Sequence, residues 1–267
     1  MAARLPTYFI PHGGGPCFFM DWEPPDMWDS MEAFLAALPH DLPATPKAIL
    51  VASGHWEEAD FTFGSHPKPP LIYDYYGFPP HTYELTYDAP GAPDLAARAA
   101  RLLGDAGVPA RLDDARGYDH GVFIPLKVAF PDARIPVVQM SLKAGLDPQA
   151  HIRAGQALSP LRDEGVLIVG SGMSYHNLRR YRRHGEGIVE ESDLFDRWLG
   201  EAVTAPPAER NARLAAWDKA PAARLSHPTE EHLIPLMVAA GAAGEDPGRI
   251  VYSDRVLGAM VSGYRFG

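Results

Sequence analysis

Apolar runs that stop at a histidine are the feature that most restricts the folds open to this chain. Thr7-Tyr8-Phe9-Ile10-Pro11 leads to His12, and Ile49-Leu50-Val51-Ala52-Ser53-Gly54 leads to His55. Leu167-Ile168-Val169-Gly170-Ser171-Gly172 runs through Met173-Ser174-Tyr175 to His176. Runs this short, rich in aliphatic residues and bounded by glycine or proline, suit strands buried on both faces, as in a parallel sheet. The pattern predicts strands over Thr7–Pro11, Ala48–Ser53, Ile135–Met140 and Gly165–Gly170. Helical patterns lie between and beyond them, over Met31–Leu38, Ala92–Ala106, Val122–Phe130, Pro148–Glu164, Leu194–Ala202 and Glu231–Ala243. Alternating strands and helices imply an α/β fold: a single domain over residues 1–267 with a largely parallel central sheet flanked by helices. In such sheets ligands bind beyond the carboxyl ends of the strands, the edge at which these three histidines are aimed.

Composition narrows the function. With 46% hydrophobic residues in 267, the chain can bury a sizeable core, and it carries no internal repeat that would build a solenoid. A net charge of −10 argues against binding nucleic acid through its phosphates. No run approaches the roughly 18 apolar residues of a membrane span. Met1 to Arg4 leads into the first strand without a signal-peptide pattern, so a cytoplasmic location is expected. The single cysteine, Cys17, excludes an intramolecular disulfide and a multi-cysteine zinc site. Its neighbours Pro16, Phe18 and Phe19 point to a buried, inert thiol. The basic run Arg179-Arg180-Tyr181-Arg182-Arg183-His184 reads as a solvated face, or else as a cationic rim for a carboxylate-bearing substrate. Lys68–Pro93, rich in proline, glycine and tyrosine, is either a surface excursion packed by its own aromatics or a wall over an aromatic substrate.

Among the histidines, His12 lies in Pro11-His12-Gly13-Gly14-Gly15-Pro16, where successive glycines let backbone approach a ligand closely. The turn lacks the lysine and Ser/Thr of a P-loop, so it reads as a metal-ligand position rather than a phosphate cradle. His55, in Ser53-Gly54-His55-Trp56, matches it at the end of a second strand. His232, in Pro228-Thr229-Glu230-Glu231-His232, stands where a helix is expected to begin and would be the third ligand. Its neighbour Glu231 is the rival, because two histidines and one carboxylate form the common non-haem Fe(II) set. Adjacent helical residues point about 100° apart, so one of the two faces a metal, and His232 is preferred. His120, in Gly117-Tyr118-Asp119-His120-Gly121, and His176, beside Asn177, suit acid/base work near neutral pH; His176 is also a candidate fourth ligand. His40, His66, His81, His151, His184 and His227 read as surface or loop residues, with His227 held as a substitute for His232.

Five ordered motifs carry a resemblance: Pro11-His12-Gly13-Gly14-Gly15-Pro16, Ser53-Gly54-His55-Trp56, Gly117-Tyr118-Asp119-His120-Gly121, Ser171-Gly172-Met173-Ser174-Tyr175-His176-Asn177-Leu178 and Pro228-Thr229-Glu230-Glu231-His232-Leu233. Together with Tyr76-Gly77-Phe78-Pro79, they resemble the class III extradiol dioxygenases, in particular the 4,5-DOPA extradiol dioxygenase branch. The resemblance implies one divalent metal ion, Fe(II) in active enzyme and in some cases Zn(II) as isolated, held by His12, His55 and His232. His120 and His176 would be the acid/base pair. The substrates would be a small-molecule catechol and O2, and the product a muconic semialdehyde. This chain departs from many relatives in having Gly13-Gly14-Gly15-Pro16 after its histidine and Gly54 where they carry alanine. Two other functions are compatible with the same histidines: a zinc-dependent hydrolase, and a catechol-binding protein without turnover.

Overall fold

The computed structural model describes residues 4–181 and 187–267. Eight strands form one sheet: β1 (Thr7–Pro11), β2 (Ala48–Glu58), β3 (Phe61–Gly64), β4 (Ala110–Asp113), β5 (Val137–Lys143), β6 (Val166–Gly172), β7 (Gly248–Val256) and β8 (Ala259–Phe266). Their order is β4-β3-β5-β2-β6-β1-β8-β7. The centre, β5-β2-β6-β1, is parallel, and β8 and β7 add antiparallel strands at one side. On the other side β3 runs antiparallel to β5 and parallel to β4. The α/β expectation therefore holds, with a mixed sheet margin.

Nine helical segments are described: α1 (Asp29–Ala37), α2 (Pro93–Asp105), α3 (His120–Ala129), α4 (Pro148–Leu158), α5 (Leu178–Tyr181), α6 (Ile188–Thr204), α7 (Pro207–Ala215), α8 (Ala223–Ser226) and α9 (Pro235–Ala243). Strand alternation divides the core. Ile49, Val51, Leu167 and Val169 face α1 and α3, meeting Met31, Leu35, Val122 and Phe123. Leu50, Ala52 and Ile168 point the other way, onto Ala96 and Leu103 of α2, Leu158 of α4 and Val238 of α9. Burial on both faces explains why the central strands are uniformly apolar.

Several boundaries differ from the sequence reading for identifiable reasons. β2 does not stop at Ser53 but continues to Glu58, and its pairing with β5 changes register between Ala52 and Glu57. His55 lies inside this irregular stretch, where a bulge re-aims side chains, rather than beyond a strand end. The helix expected from Glu231 begins at Pro235 instead, because proline suits the first helical position and leaves 231–234 as turns. The expected helix Pro148–Glu164 gives way at Ser159 to a short 3₁₀ segment containing Pro160. Strands β3, β4, β7 and β8 lie outside the predicted runs: β3 and β4 are only four residues long, β7 is half exposed, and β8, though largely buried, is interrupted by Ser262, Gly263 and Arg265. Among the described residues no helix is long and apolar enough to cross a membrane.

Candidate active site

The carboxyl ends of the parallel strands deliver the site. His12 follows β1 directly, and its backbone N–H extends the ladder onto β6 by bonding Gly172 O at 3.1 Å. Behind it Gly13 and Gly15 take φ of +81° and +58°, the left-handed region that glycine enters without strain. This turn lets Cys17 and Phe78 pack against the glycines. His232 sits on the turn before α9, and its carbonyl accepts from Met173 N–H at 2.9 Å. Gly172 makes that approach possible, because the His232 carbonyl occupies the space a side chain would need. His120 opens α3, and His176 stands four residues past β6 with its N–H on Ser226 O at 3.0 Å.

These five imidazoles converge. The Nε2 atoms of His12 and His55 are 3.1 Å apart, and one nitrogen from each of His12, His55 and His232 lies within 4.8 Å of the others. The His176 ring stacks on His232 at 3.5 Å between centroids, and the His120 ring lies 3.9 Å from His55. The two rings therefore flank the triangle from different sides.

Hydrogen bonds fix the tautomers of two members of the triangle. Ser171 Oγ donates to Gly121 O, so it can only accept from His12 Nδ1, 3.0 Å away. The His12 proton is thereby on Nδ1 and Nε2 presents a bare lone pair. His232 Nδ1 likewise donates to Glu231 Oε1 at 3.0 Å, leaving its Nε2 bare. Burial, with the neighbouring histidines, holds His12 and His55 well below the ordinary imidazole range and takes His232 down to about 4. All three are neutral at pH 7, the form that binds a metal. For metal–nitrogen bonds of roughly 2.1 Å, neighbouring ligand nitrogens stand about 3.0 to 3.4 Å apart. The 3.1 Å His12–His55 separation matches, so the donor set fits a metal ion.

Carboxylates complete the arrangement, and of these the sequence offered Glu231, as a rival ligand to His232. Burial works against the ionised form of Glu231, but hydrogen bonds from His176, His232 and Thr229 outweigh it and hold the carboxyl well below its usual range. Glu231 lies 3.0 Å from His232 Nδ1 and 3.3 Å from His176 Nδ1, so it buttresses two histidines. Asp74, on the Lys68–Pro93 excursion, contacts His120. Asp119, fully buried, accepts from Ser53 Oγ, Arg116 and Gln139 beneath His55. The Glu231–His232 contact joins neighbours in sequence, whereas Asp119 reaches Ser53 and Gln139 across sixty-six and twenty residues, and Asp74 lies forty-six residues from His120; these distant contacts had no sequence signal.

The histidines floor a cavity of about 320 Å³ walled by Gly13–Gly15, Tyr75, Tyr76, Phe78 and Leu178. The Lys68–Pro93 segment is thus a wall of this cavity, and it is also packed by its own rings, Tyr73 and Tyr75 on Tyr83. A roomier cleft beside Phe61, Lys143 and Arg153 contains no histidine. Two of the remaining histidines are not surface residues. His151 is buried in α4, donating from Nδ1 to Asp147 O and accepting Lys143 N–H at Nε2. His227 is buried against Phe195 and Trp217 and donates to Ser174 O, so it packs in the core and does not replace His232. His40 and His81 are exposed and His66 is half-buried in a loop, while His184, with Arg182 and Arg183, lies outside the described residues. Cys17 is buried, which pushes its thiol pKa up.

The profile of the LigB family, the catalytic subunit of aromatic ring-opening dioxygenases, matches residues 6–263. The chain belongs to that family. This LigB-family enzyme is 40% identical to the 4,5-DOPA dioxygenase extradiol of Beta vulgaris, covering 90% of this chain and 87% of the relative. It is 34% identical to the Escherichia coli K12 protein of the same name, over 97% and 93%. It is 38% identical to the dioxygenase tasH of Hapsidospora irregularis, over 98% and 85%. The crystal structure of uncharacterized protein JW3007 from Escherichia coli K12 superposes with a TM-score of 0.79 at 30% identity, covering 99% of this chain and all of that one. The chain is therefore a metal-dependent extradiol ring-opening dioxygenase.

Proposed function

We propose that this dioxygenase opens the ring of a DOPA-like or related dihydroxyphenyl compound beside its two hydroxyls, adding both atoms of O2 to give a muconic semialdehyde. His12, His55 and His232 hold one divalent metal ion, Fe(II) in the active enzyme with Zn(II) as the competing occupant. His120 and His176 form the acid/base pair. The observation that carries this reading is the 3.1 Å meeting of His12 and His55 Nε2 atoms, with hydrogen bonds that leave lone pairs on His12 and His232 directed inward. Bound there, Fe(II) supplies a Lewis-acidic centre for both catechol oxygens and a route for electrons from the catechol to O2.

The chain's own groups do the rest. Glu231 beside His176 Nδ1 leaves Nε2 of that ring to take a hydroxyl proton from the catechol. His120, on the flank nearest His55, takes the second hydroxyl proton at its other nitrogen and returns it as the ring opens. Tyr75, Tyr76 and Phe78 give the aromatic ring an apolar wall. A cavity of about 320 Å³ is at the small end of small-molecule sites and suits a single ring with a short side chain. Past His176 and Leu178 a second cleft continues to Arg179, a cation suited to a substrate's carboxylate. One catalytic domain over residues 1–267 and a cytoplasmic location belong to the same reading. The first is supported by one sheet drawing strands from both ends of the chain, the second by the lone Cys17.

The test is oxygen uptake by protein reconstituted anaerobically with Fe(II), then given catechols in air-saturated buffer while a yellow ring-opened product is followed. Uptake matched mole for mole by product is expected. No uptake despite full Fe(II) loading would refute the assignment and favour hydrolysis by a zinc-bound water, or binding without turnover.

A further inference from the structure

Asp74 is the one carboxylate at the site contributed by the Lys68–Pro93 wall, and its contacts are specific. Its Oδ1 lies 3.0 Å from the backbone nitrogen of His120 and 2.7 Å from Nδ1 of the same residue. Oδ2 faces His55 Nδ1 at 3.9 Å, beyond hydrogen-bond range. The side chain is 23% exposed and the His120 side chain 8%, so the pair is partly withdrawn from water. Tyr75, the next residue, sets its ring edge-on to His120 at 5.9 Å between centroids, and its hydroxyl is anchored on Thr82 O. The wall segment is therefore tied to His120 through two adjacent residues.

We propose that Asp74 is a positioning residue for the ring-opening reaction: it holds His120 as the Nδ1–H tautomer with Nε2 turned into the cavity. The chemistry follows from the acceptor. An ionised carboxylate at 2.7 Å has lone pairs only, so Nδ1 must carry the hydrogen, and the exchangeable site of the ring is then Nε2. The second bond, from the His120 backbone, locks the carboxylate to the start of α3, so the ring cannot turn without breaking the pair. Glu231 is shared between two histidines, whereas Asp74, among the described residues, is in hydrogen-bond range of one histidine, His120. The wall that covers the substrate's ring thus also sets where His120 can hold a proton.

The inference rests on the function proposed above, and its test separates the two. Selectively ¹⁵N-histidine-labelled, zinc-loaded protein reports each ring's tautomer, with the His120 signals assigned by their loss in His120→Asn. The wild type should show His120 as Nδ1–H, and Asp74→Ala should shift it toward Nε2–H or a mixture, with metal content unchanged. In the Fe(II) enzyme the same substitution should lower kcat about 10- to 100-fold while KM moves much less. Asp74→Asn, which keeps an acceptor of the same shape, should retain the tautomer and part of the rate; if the alanine variant does not fold, Asp74→Leu, which removes the acceptor and keeps the bulk, decides the matter by the same tautomer readout. An unchanged His120 tautomer in Asp74→Ala, or a kcat within two-fold of wild type, would overturn the proposal. If the wild type consumes no oxygen with any catechol, the function proposed above fails, and the tautomer measurement still decides the role of Asp74.

Discussion

Gly172→Ala probes how tightly backbone packing holds the proposed metal centre. A Cβ built at Gly172 would fall 2.0 Å from the carbonyl oxygen of His232 and 2.9 Å from its carbonyl carbon. Cβ atoms do not approach heavy atoms closer than 3.0 Å, so the two segments must separate by about 3.0 − 2.0 = 1.0 Å. Neither yields easily. Gly172 pairs with Pro11 in β1, the neighbouring Ser171 also pairs with β2, and Met173 N–H bonds the same His232 carbonyl. Metal–ligand distances tolerate only about 0.2 Å, so a shift of this size takes His232 out of reach. The expected result is loss of stoichiometric metal, a fall in turnover on the order of 10²-fold, and about 1–3 kcal/mol of lost stability from overpacking. Metal analysis, oxygen uptake and denaturant unfolding measure the three. Gly104→Ala, helical and facing open space, is the control and should keep both metal and activity. A Gly172→Ala protein with one metal per chain and turnover within two-fold of wild type would refute the reasoning.

Three other outcomes are expected. His12→Ala or His55→Ala should abolish metal binding, whereas His176→Ala should keep the metal and lose turnover by about 10²- to 10⁴-fold; full metal content in either of the first two would overturn the ligand assignment. Ser171→Ala removes the acceptor that orients His12 Nδ1 and should weaken metal affinity about 10- to 100-fold in competition with a chelator, an unchanged affinity counting against that orienting role. Burial lowers His151 from 6.5 to about 4, so its contribution to stability is present above pH 6.5 and is lost as pH falls from 6.5 through 4. Urea unfolding across that window should show the wild type losing roughly 3 kcal/mol more than His151→Gln, and equal pH slopes for the two would show that His151 is not held neutral.

Much of the architecture was readable because central parallel strands must be apolar on both faces, and β1, β2, β5 and β6 announce themselves as short unbroken runs. The same rule pointed to the sheet edge where His12, His55 and His176 gather. The strands it missed flank the parallel centre: β3 and β4 are four-residue segments, β7 is half exposed, and the buried β8 is broken by Ser262, Gly263 and Arg265, so none carries a long unbroken apolar run. Helix starts slipped where proline chose them, as at Pro235.

What the sequence by itself determined, then, was the parallel core, the edge that binds, and the residue types able to hold a metal, all consequences of local pattern and intrinsic chemistry. Tertiary structure alone decided how the histidines are used. His151 and His227 look no different in sequence from His40 or His81, yet two are buried with fixed hydrogen bonds and two face solvent. Glu231 and His232, rivals in sequence, are hydrogen-bonded to each other in space: Glu231 receives the His232 Nδ1–H, which leaves Nε2 bare and supports His232 as the proposed ligand. Asp74 meets His120 only because a wall segment forty-six residues away folds back over the sheet edge. Tautomer, ring orientation and burial depend on partners brought together by the fold, and a hydrogen bond between distant residues leaves no periodicity in the chain to read.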